Sequence, residues 1–326
     1  MAQPVPRELI QFIKSGSKFI AAGHKEPDGD CVGSELALCS ALRRLGSEAI
    51  PCSAGPFKRT EIMSYAPYFT AAPGEKERDG AKVIVVDCSK AGRTGDLAPY
   101  IEGLPLAIID HHATGDHPEN RAETPVFLDP AAPSLSFMIL EIIEALGLNP
   151  TKEEARLLFF GLCTDTGFFR HVDESGAETF EGAAKMIRAG ASPKETFLAI
   201  NGGKSLDSRI LMGHILSRAE SFFDGRLILS FEEYEDTRRF GLEGRDSDSL
   251  YQLLQSVSGV EAIVIIRQES PENCTVGLRS RDRIDVGAIA ASFGGGGHKN
   301  AAGLSIKGVI SDVKPGIIEA FGKVFR

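Results

Sequence analysis

The stretch Gly23-His24-Lys25-Glu26-Pro27-Asp28-Gly29-Asp30-Cys31-Val32-Gly33-Ser34 decides how the rest of this chain is read. It follows directly on Phe19-Ile20-Ala21-Ala22, an apolar run that predicts a buried parallel strand. His24, Asp28 and Asp30, all able to bind a metal, therefore sit at a strand's C-terminal end. Pro27 disfavours helix at the residue before it, and Gly29 permits a sharp turn that aims both aspartates inward. Helix is expected only after this turn, with Leu36, Leu38, Ala41, Leu42 and Leu45 at its apolar positions, Asp30 or Ser34 as its cap and Gly46 as its stop. Taken alone, the same residues also read as an acidic turn capping a helix. The rest of the chain has to decide between the two.

Working outward, Lys82-Val83-Ile84-Val85-Val86-Asp87 and Leu104-Pro105-Leu106-Ala107-Ile108-Ile109-Asp110 are β-branched runs that each end in an aspartate. Central parallel strands have this composition, and both would bring a carboxylate to the same sheet edge. Segments 134–146 and 151–163 carry helical periodicity, the second opened by a capping box of Thr151 and Glu154. That second helix delivers Asp165-Thr166-Gly167 at its C-terminal end. Two further helices are expected over 176–189 and 193–200. Asn201-Gly202-Gly203-Lys204 marks a boundary, followed by a helical pattern running to about Phe222. Beyond it, 226–231, 262–266 and 274–278 read as strands, and 247–257, 285–292 and 312–324 as helices. The expected class is α/β: a parallel sheet with helices on both faces over 1–200, a hinge and connector helix over 201–223, and a smaller α/β domain over 224–326.

A chain of 326 residues exceeds what one core of about 250 residues usually supports, which agrees with two domains. Hydrophobic content of 42% and charged content of 25% are those of a water-soluble globular protein. The chain holds no apolar run of about 20 residues, and Met-Ala-Gln-Pro-Val-Pro-Arg is no signal peptide, so a cytoplasmic location is expected. Cys31, Cys39, Cys52, Cys88, Cys163 and Cys274 lack C-x-x-C spacing and read as reduced, buried thiols, although Cys31, Cys88 and Cys163 lie beside candidate ligands. A net charge of −9 argues against a general surface for long nucleic acid, which is held by many lysine and arginine contacts to phosphate. A phosphorylated substrate must then be met locally.

Gathering the strand and helix ends gives His24, Asp28, Asp30, Asp87, Asp110, His111, His112 and Asp165. In an open α/β sheet such positions converge on the crevice where strand order reverses. They are too many for one ion. Carboxylates mixed with imidazoles, without thiolate, suit manganese or a similar divalent cation better than structural zinc. Two such ions about 3.5–4 Å apart activate water for in-line attack on phosphorus, so phosphoester hydrolysis is the expected reaction. Singly, Asp87 also reads as a turn cap and Asp165 as a solvated helix end; the convergence of all eight favours a metal site. His117, His171 and His214 fall outside the pattern and are expected to be surface or core histidines.

A second constellation is Phe293-Gly294-Gly295-Gly296-Gly297-His298-Lys299-Asn300-Ala301-Ala302-Gly303, preceded by Leu278-Arg279-Ser280-Arg281-Asp282-Arg283. Consecutive glycines let backbone N–H groups approach an anion, His298 can donate to phosphate, and the Arg279 fork fits phosphate oxygens. The alternative is a flexible glycine loop beside a solvated basic run.

These residues together resemble the DHH phosphoesterase family, whose naming triad is here Asp110-His111-His112. The match spans nearly the whole chain: H-x-x-P-D-x-D-x-x-G-S from His24 to Ser34, then Asp87, the triad, Asp165 in D-T-G, and G-G-G-H-x-x-A-A-G from Gly295 to Gly303. Within the family the pattern is most similar to nanoRNase-type enzymes, which act on short oligoribonucleotides and on 3′-phosphoadenosine 5′-phosphate and join a DHH domain to a DHH-associated domain. The resemblance implies that His24, Asp28 and Asp87 hold one divalent cation, and that Asp30, Asp87, His111 and Asp165 hold another. Manganese is the expected ion, with magnesium or cobalt as alternatives. It further implies that His112 faces substrate, that Asp110 orients a ligand histidine, and that Arg279, Gly296, Gly297 and His298 contact phosphate or nucleotide. Implied partners are short single-stranded RNA or a small phosphorylated nucleotide, with no long nucleic acid and no membrane; a homodimer is compatible with the resemblance. Soluble phosphodiesterases of linear or cyclic dinucleotides share every motif and remain the competing enzyme class. A nucleotide-binding module without turnover is the competing non-enzyme class, and the intact set of clustered carboxylates argues against it.

Overall fold

Strands β1 (Lys18–Ala22), β2 (Glu48–Cys52), β3 (Lys82–Val86), β4 (Leu106–Asp110) and β5 (Val126–Leu128) pair in parallel throughout, in the order β2-β1-β3-β4-β5. Their side chains alternate between two covered faces, as a parallel sheet with helices on both sides demands. Phe19, Ala21, Ile84, Val86, Ala107 and Ile109 join one core, and Ile20, Ala22, Val83, Val85 and Ile108 join the other. The first core lies under helices Gly29–Arg44, Leu135–Ala145, Lys152–Asp165 and Ala177–Arg188. Because β2 lies on one side of β1 and β3 on the other, strand order reverses beside β1. A crevice at the carboxyl edge is therefore placed between the turn after β1 and the end of β3.

The computed structural model describes residues 3–112, 124–242, 244–281 and 283–325. His117 lies outside the described residues. The chain divides into two units, Met1–Gly202 and Gly203–Arg326.

In the second unit, β6 (Glu220–Phe222), β7 (Leu227–Glu232), β8 (Ala262–Ser270), β9 (Asn273–Ser280), β10 (Gly296–His298) and β11 (Ala301–Lys307) form a mixed sheet ordered β10-β11-β9-β8-β7-β6. Helices Ser247–Gln255, Val286–Ser292 and Ile310–Val324 accompany it. Two features differ from the sequence expectation. The helix after the boundary is Leu206–Ser217, and the segment before Phe222 is an edge strand antiparallel to β7. Phe223, Asp224 and Gly225 all adopt positive φ and turn the chain back on itself; this Asp-Gly hairpin signal is hidden in the sequence by the helical spacing upstream. The glycine tract is no flexible loop either. Gly296, Gly297 and His298 pair with Gly303, Ala302 and Ala301, and a Cβ on Gly297 would stand 2.5 Å from the Ala301 carbonyl oxygen. Glycine is needed there for the close approach of the two strands.

Candidate metal centre

Asp28 caps helix Gly29–Arg44, its Oδ1 accepting from the backbone N–H groups of Asp30 and Cys31, each at 3.1 Å. The cap is thus Asp28 and not Asp30 or Ser34, because Asp28 has the extended backbone that an N-cap requires. Asp30 then falls in the first helical turn and points into the protein. Its carboxylate accepts from Leu135 N at 2.6 Å and Ser136 N at 2.8 Å, in the first turn of helix Leu135–Ala145. Burial, followed by the charges of Asp87 and Asp165, pushes Asp30 well above the usual carboxylate range. Gly161 makes this arrangement fit: a Cβ there would stand 2.0 Å from Ser136 Oγ and 2.8 Å from Asp30 Oδ1.

Asp87 is the first residue past β3 and has φ of +60°, a left-handed conformation that aspartate tolerates better than most residues. Its two carboxylate oxygens face different histidines. Oδ2 lies 3.5 Å from His24 Nε2, while Oδ1 lies 3.6 Å from His111 Nε2 and 3.8 Å from His112 Nδ1. His111 Nε2 is also 3.8 Å from Asp30 Oδ2 and 3.7 Å from Asp165 Oδ2. Spacings of 3.5–3.8 Å exceed a hydrogen bond of about 2.7–3.2 Å. They are the spacings expected of donors around a shared cation bound at about 2.0–2.2 Å. Asp87 Oδ1 and His111 Nε2 are buried without a hydrogen-bond partner, a costly state unless a cation or water is supplied. The donor set therefore fits a divalent metal. Three donor groups meet the spacing among the described residues: His24, Cys31 and Asp87; Asp87, His111 and His112; and Asp30, His111 and Asp165.

Two placements refine the sequence reading. The ring that Asp110 grips is His112, whose Nδ1 is 2.8 Å from Asp110 Oδ1 and whose backbone N–H donates to the same oxygen. That hydrogen bond raises the His112 pKa above its ordinary value against the opposing effect of burial. With its side chain 40% exposed, against 12% for His111, His112 is the histidine that faces outward. For His24, burial works against the charged ring but the adjacent Asp87 carboxylate and the Lys25 carbonyl outweigh it, and the pKa is raised. Asp165, at the end of helix Lys152–Asp165, is raised chiefly by burial.

Cys31 enters a donor group that Asp28 does not, and sequence reasoning gave it little weight. Burial pushes its thiol far up, and its Sγ donates to Glu35 Oε1 at 3.5 Å. A protonated thiol is a poor ligand. The fully buried Glu35 was missed; the available signal was a lone acid four residues after Cys31 on an otherwise inward helical face. His171 is exposed, and His214 is half-exposed with Nδ1 2.8 Å from Asp236 Oδ1.

In the second unit, residues paired across the sheet place Ile263, Arg279, Ala301 and His298 in one row, so their side chains share a face. His298 is exposed, and the half-buried Arg279 guanidinium lies over the Tyr251 ring at 4.6 Å and donates from Nη1 to the Leu278 carbonyl at 3.0 Å. Gly296 would admit a Cβ without contact, so its backbone is open to a ligand. Arg281 is tied to the Gln255 carbonyl.

Residues 18–162 match the model of the DHH family, N-terminal domain, and residues 227–326 match the DHHA1 domain. The chain is 32% identical to a Thermus thermophilus protein named bifunctional oligoribonuclease and PAP phosphatase NrnA, covering 94% of this chain and 88% of that protein. It is 26% identical to the cyclic-di-AMP phosphodiesterase GdpP of Bacillus subtilis over 98% of this chain, which spans 50% of GdpP. A crystal structure of an exopolyphosphatase-related protein from Bacteroides fragilis has the same fold, with a TM-score of 0.74 at 20% identity over 97% of this chain and 94% of that one. Among the described residues, no helix is long and apolar enough to cross a membrane.

Proposed function

This chain belongs to the DHH family, and we propose that it is a divalent-metal-dependent phosphoesterase. Its substrates in this reading are short oligoribonucleotides, hydrolysed to mononucleotides, and 3′-phosphoadenosine 5′-phosphate, which it dephosphorylates. The observation that carries the reading is the Asp87 carboxylate, with one oxygen turned to His24 and the other to His111. A carboxylate so placed would offer one oxygen to each of two cation sites. In this assignment His24, Asp28 and Asp87 hold one cation, and Asp30, Asp87, His111 and Asp165 hold the other. The oxygen-rich donor set with imidazoles favours manganese, with magnesium or cobalt as substitutes. When bound, such a pair supplies a water of lowered pKa and neutralises charge on the phosphoryl oxygens.

The protein's own groups do the rest. Asp110 fixes the His112 ring through Nδ1, so the other ring nitrogen is left to donate to a phosphoryl or leaving oxygen. The hydrogen bond to Asp110 also favours the charged, donating ring. In this reading Arg279, His298 and the backbone of the Gly296-Gly297 strand, open at Gly296, bind phosphate or nucleotide. The likeness to NrnA supports this substrate class, and the likeness to GdpP supports a second reading in which the substrate is a linear or cyclic dinucleotide.

The test is to strip the protein with a chelator and restore manganese. Product release from 3′-phosphoadenosine 5′-phosphate, a linear diadenosine nucleotide, cyclic di-AMP and pyrophosphate is then compared. The proposal expects no turnover without metal, and the first two substrates fastest with it. Cyclic di-AMP as the best substrate would favour the second reading, and no turnover of any would leave a binding module.

A further inference from the structure

A groove of about 490 Å³ opens beside Asp165 and lies wholly within the first unit. Its size is within the ~300–1,000 Å³ usual for small-molecule sites. Pro130 and Pro133 form an apolar wall, and Val172 lines it as well. The polar rim includes Asp173 and Ser175, whose side-chain oxygens can accept hydrogen bonds. No lysine or arginine is among the described residues lining it. A phosphate group is therefore a poor occupant, whereas a flat uncharged ring bearing N–H donors suits both wall and rim.

The segment that forms one side is held in place at a conformational cost. Phe168 and Phe169, directly after the Asp165 turn, both have positive φ, at 57° and 68°. That geometry is unusual for bulky side chains and persists only where surrounding contacts over-determine it. Here Phe169 stacks on Phe180 at 5.2 Å, and Phe168 packs edge-on against Phe197 at 5.3 Å. The turn from a metal-facing carboxylate into the groove wall is thus a fixed feature of the unit.

We propose that this groove is a nucleobase subsite for the second nucleoside of a dinucleotide, the one joined through the scissile phosphate and absent from 3′-phosphoadenosine 5′-phosphate. The inference rests on the reading of the Asp165 cluster as the hydrolytic centre. It adds the place where a diester substrate differs from a monoester one.

The experiment uses Ala131→Trp and Ser175→Trp, two exposed positions lining the groove, each checked for wild-type melting. The expected result is a fall of about tenfold or more in the ratio of kcat/KM for a 5′-phosphorylated diadenosine nucleotide to that for 3′-phosphoadenosine 5′-phosphate. A tenfold fall corresponds to about 1.4 kcal/mol of lost binding, and it should enter mainly through KM. A ratio unchanged in both variants would overturn the proposal, and is also the result if the groove takes the nucleoside common to both substrates. A binding arm separates this outcome from failure of the catalytic reading. Affinity for a diadenosine nucleotide with a phosphorothioate linkage, measured by calorimetry, should weaken about tenfold in the variants even if no substrate is turned over. Equal affinity would overturn the subsite.

Discussion

Asp87 is the residue on which the account turns, because its two oxygens serve two histidine groups. Asp87→Ala is expected to lower turnover by at least about 10²-fold, since it strips a ligand from both cation sites at once. The melting temperature should stay near wild type, because removing a buried oxygen that has no partner offsets the strain of alanine at φ of +60°, which aspartate tolerates better. Activity close to wild type at saturating manganese would refute the bridging role. His298→Ala should behave differently. It is exposed in the second unit, so KM should rise several-fold with manganese occupancy, read by calorimetry, unchanged. Loss of bound metal would place His298 in the wrong constellation. Part of this was legible from residues alone. His24, Asp87, Asp110 and Asp165 each close a strand or helix whose pattern is unambiguous, so their convergence follows from topology. Which ring Asp110 grips was not legible, because His111 and His112 are adjacent and only side-chain direction distinguishes them.

At the scale of elements, the site depends on how closely three helices approach. Gly161 in helix Lys152–Asp165 faces Ser136 and Asp30 at distances that exclude a methyl group. An alanine in an open helical position would stabilise by roughly 1 kcal/mol relative to glycine. Gly161→Ala is expected to have the opposite sign, destabilising by about 1–3 kcal/mol through overpacking and lowering activity by displacing Asp30. Chemical denaturation together with kcat checks both parts, and a stabilised, fully active variant would show that the helices do not set the site. Element prediction succeeded where period and caps agree, as in the Thr151–Glu154 capping box, which forms. It failed at β6, where spacing that suits a helix belongs to an edge strand turned by Phe223, Asp224 and Gly225. The hairpin of β10 and β11 was hidden for another reason: glycine has no side chain to pattern, so only pairing with β9 shows the run to be a sheet. The groove beside Asp165 was illegible because its walls come from segments some forty residues apart, near Pro130 and near Val172.

For the whole molecule, net charge bears on which of the proposed substrates fit. The chain carries a net charge of −9, and its local basic cluster of Arg279, Arg281, Arg283 and Lys299 flanks a single hairpin. Arg281 is already tied to the Gln255 carbonyl. Holding a long strand takes contacts to many successive phosphates, and this surface offers a few. In the proposed reading a terminal phosphate and one or two bases are enough to engage the substrate-binding groups, and further nucleotides would add repulsion with few added contacts. The most direct measurement of the central claim is therefore kcat/KM for a dinucleotide and for a 24-nucleotide single strand, in manganese at one fixed ionic strength. The account predicts that the dinucleotide is preferred by about tenfold or more, with the decline steep beyond about five nucleotides. Equal values, or preference for the longer strand, would contradict it.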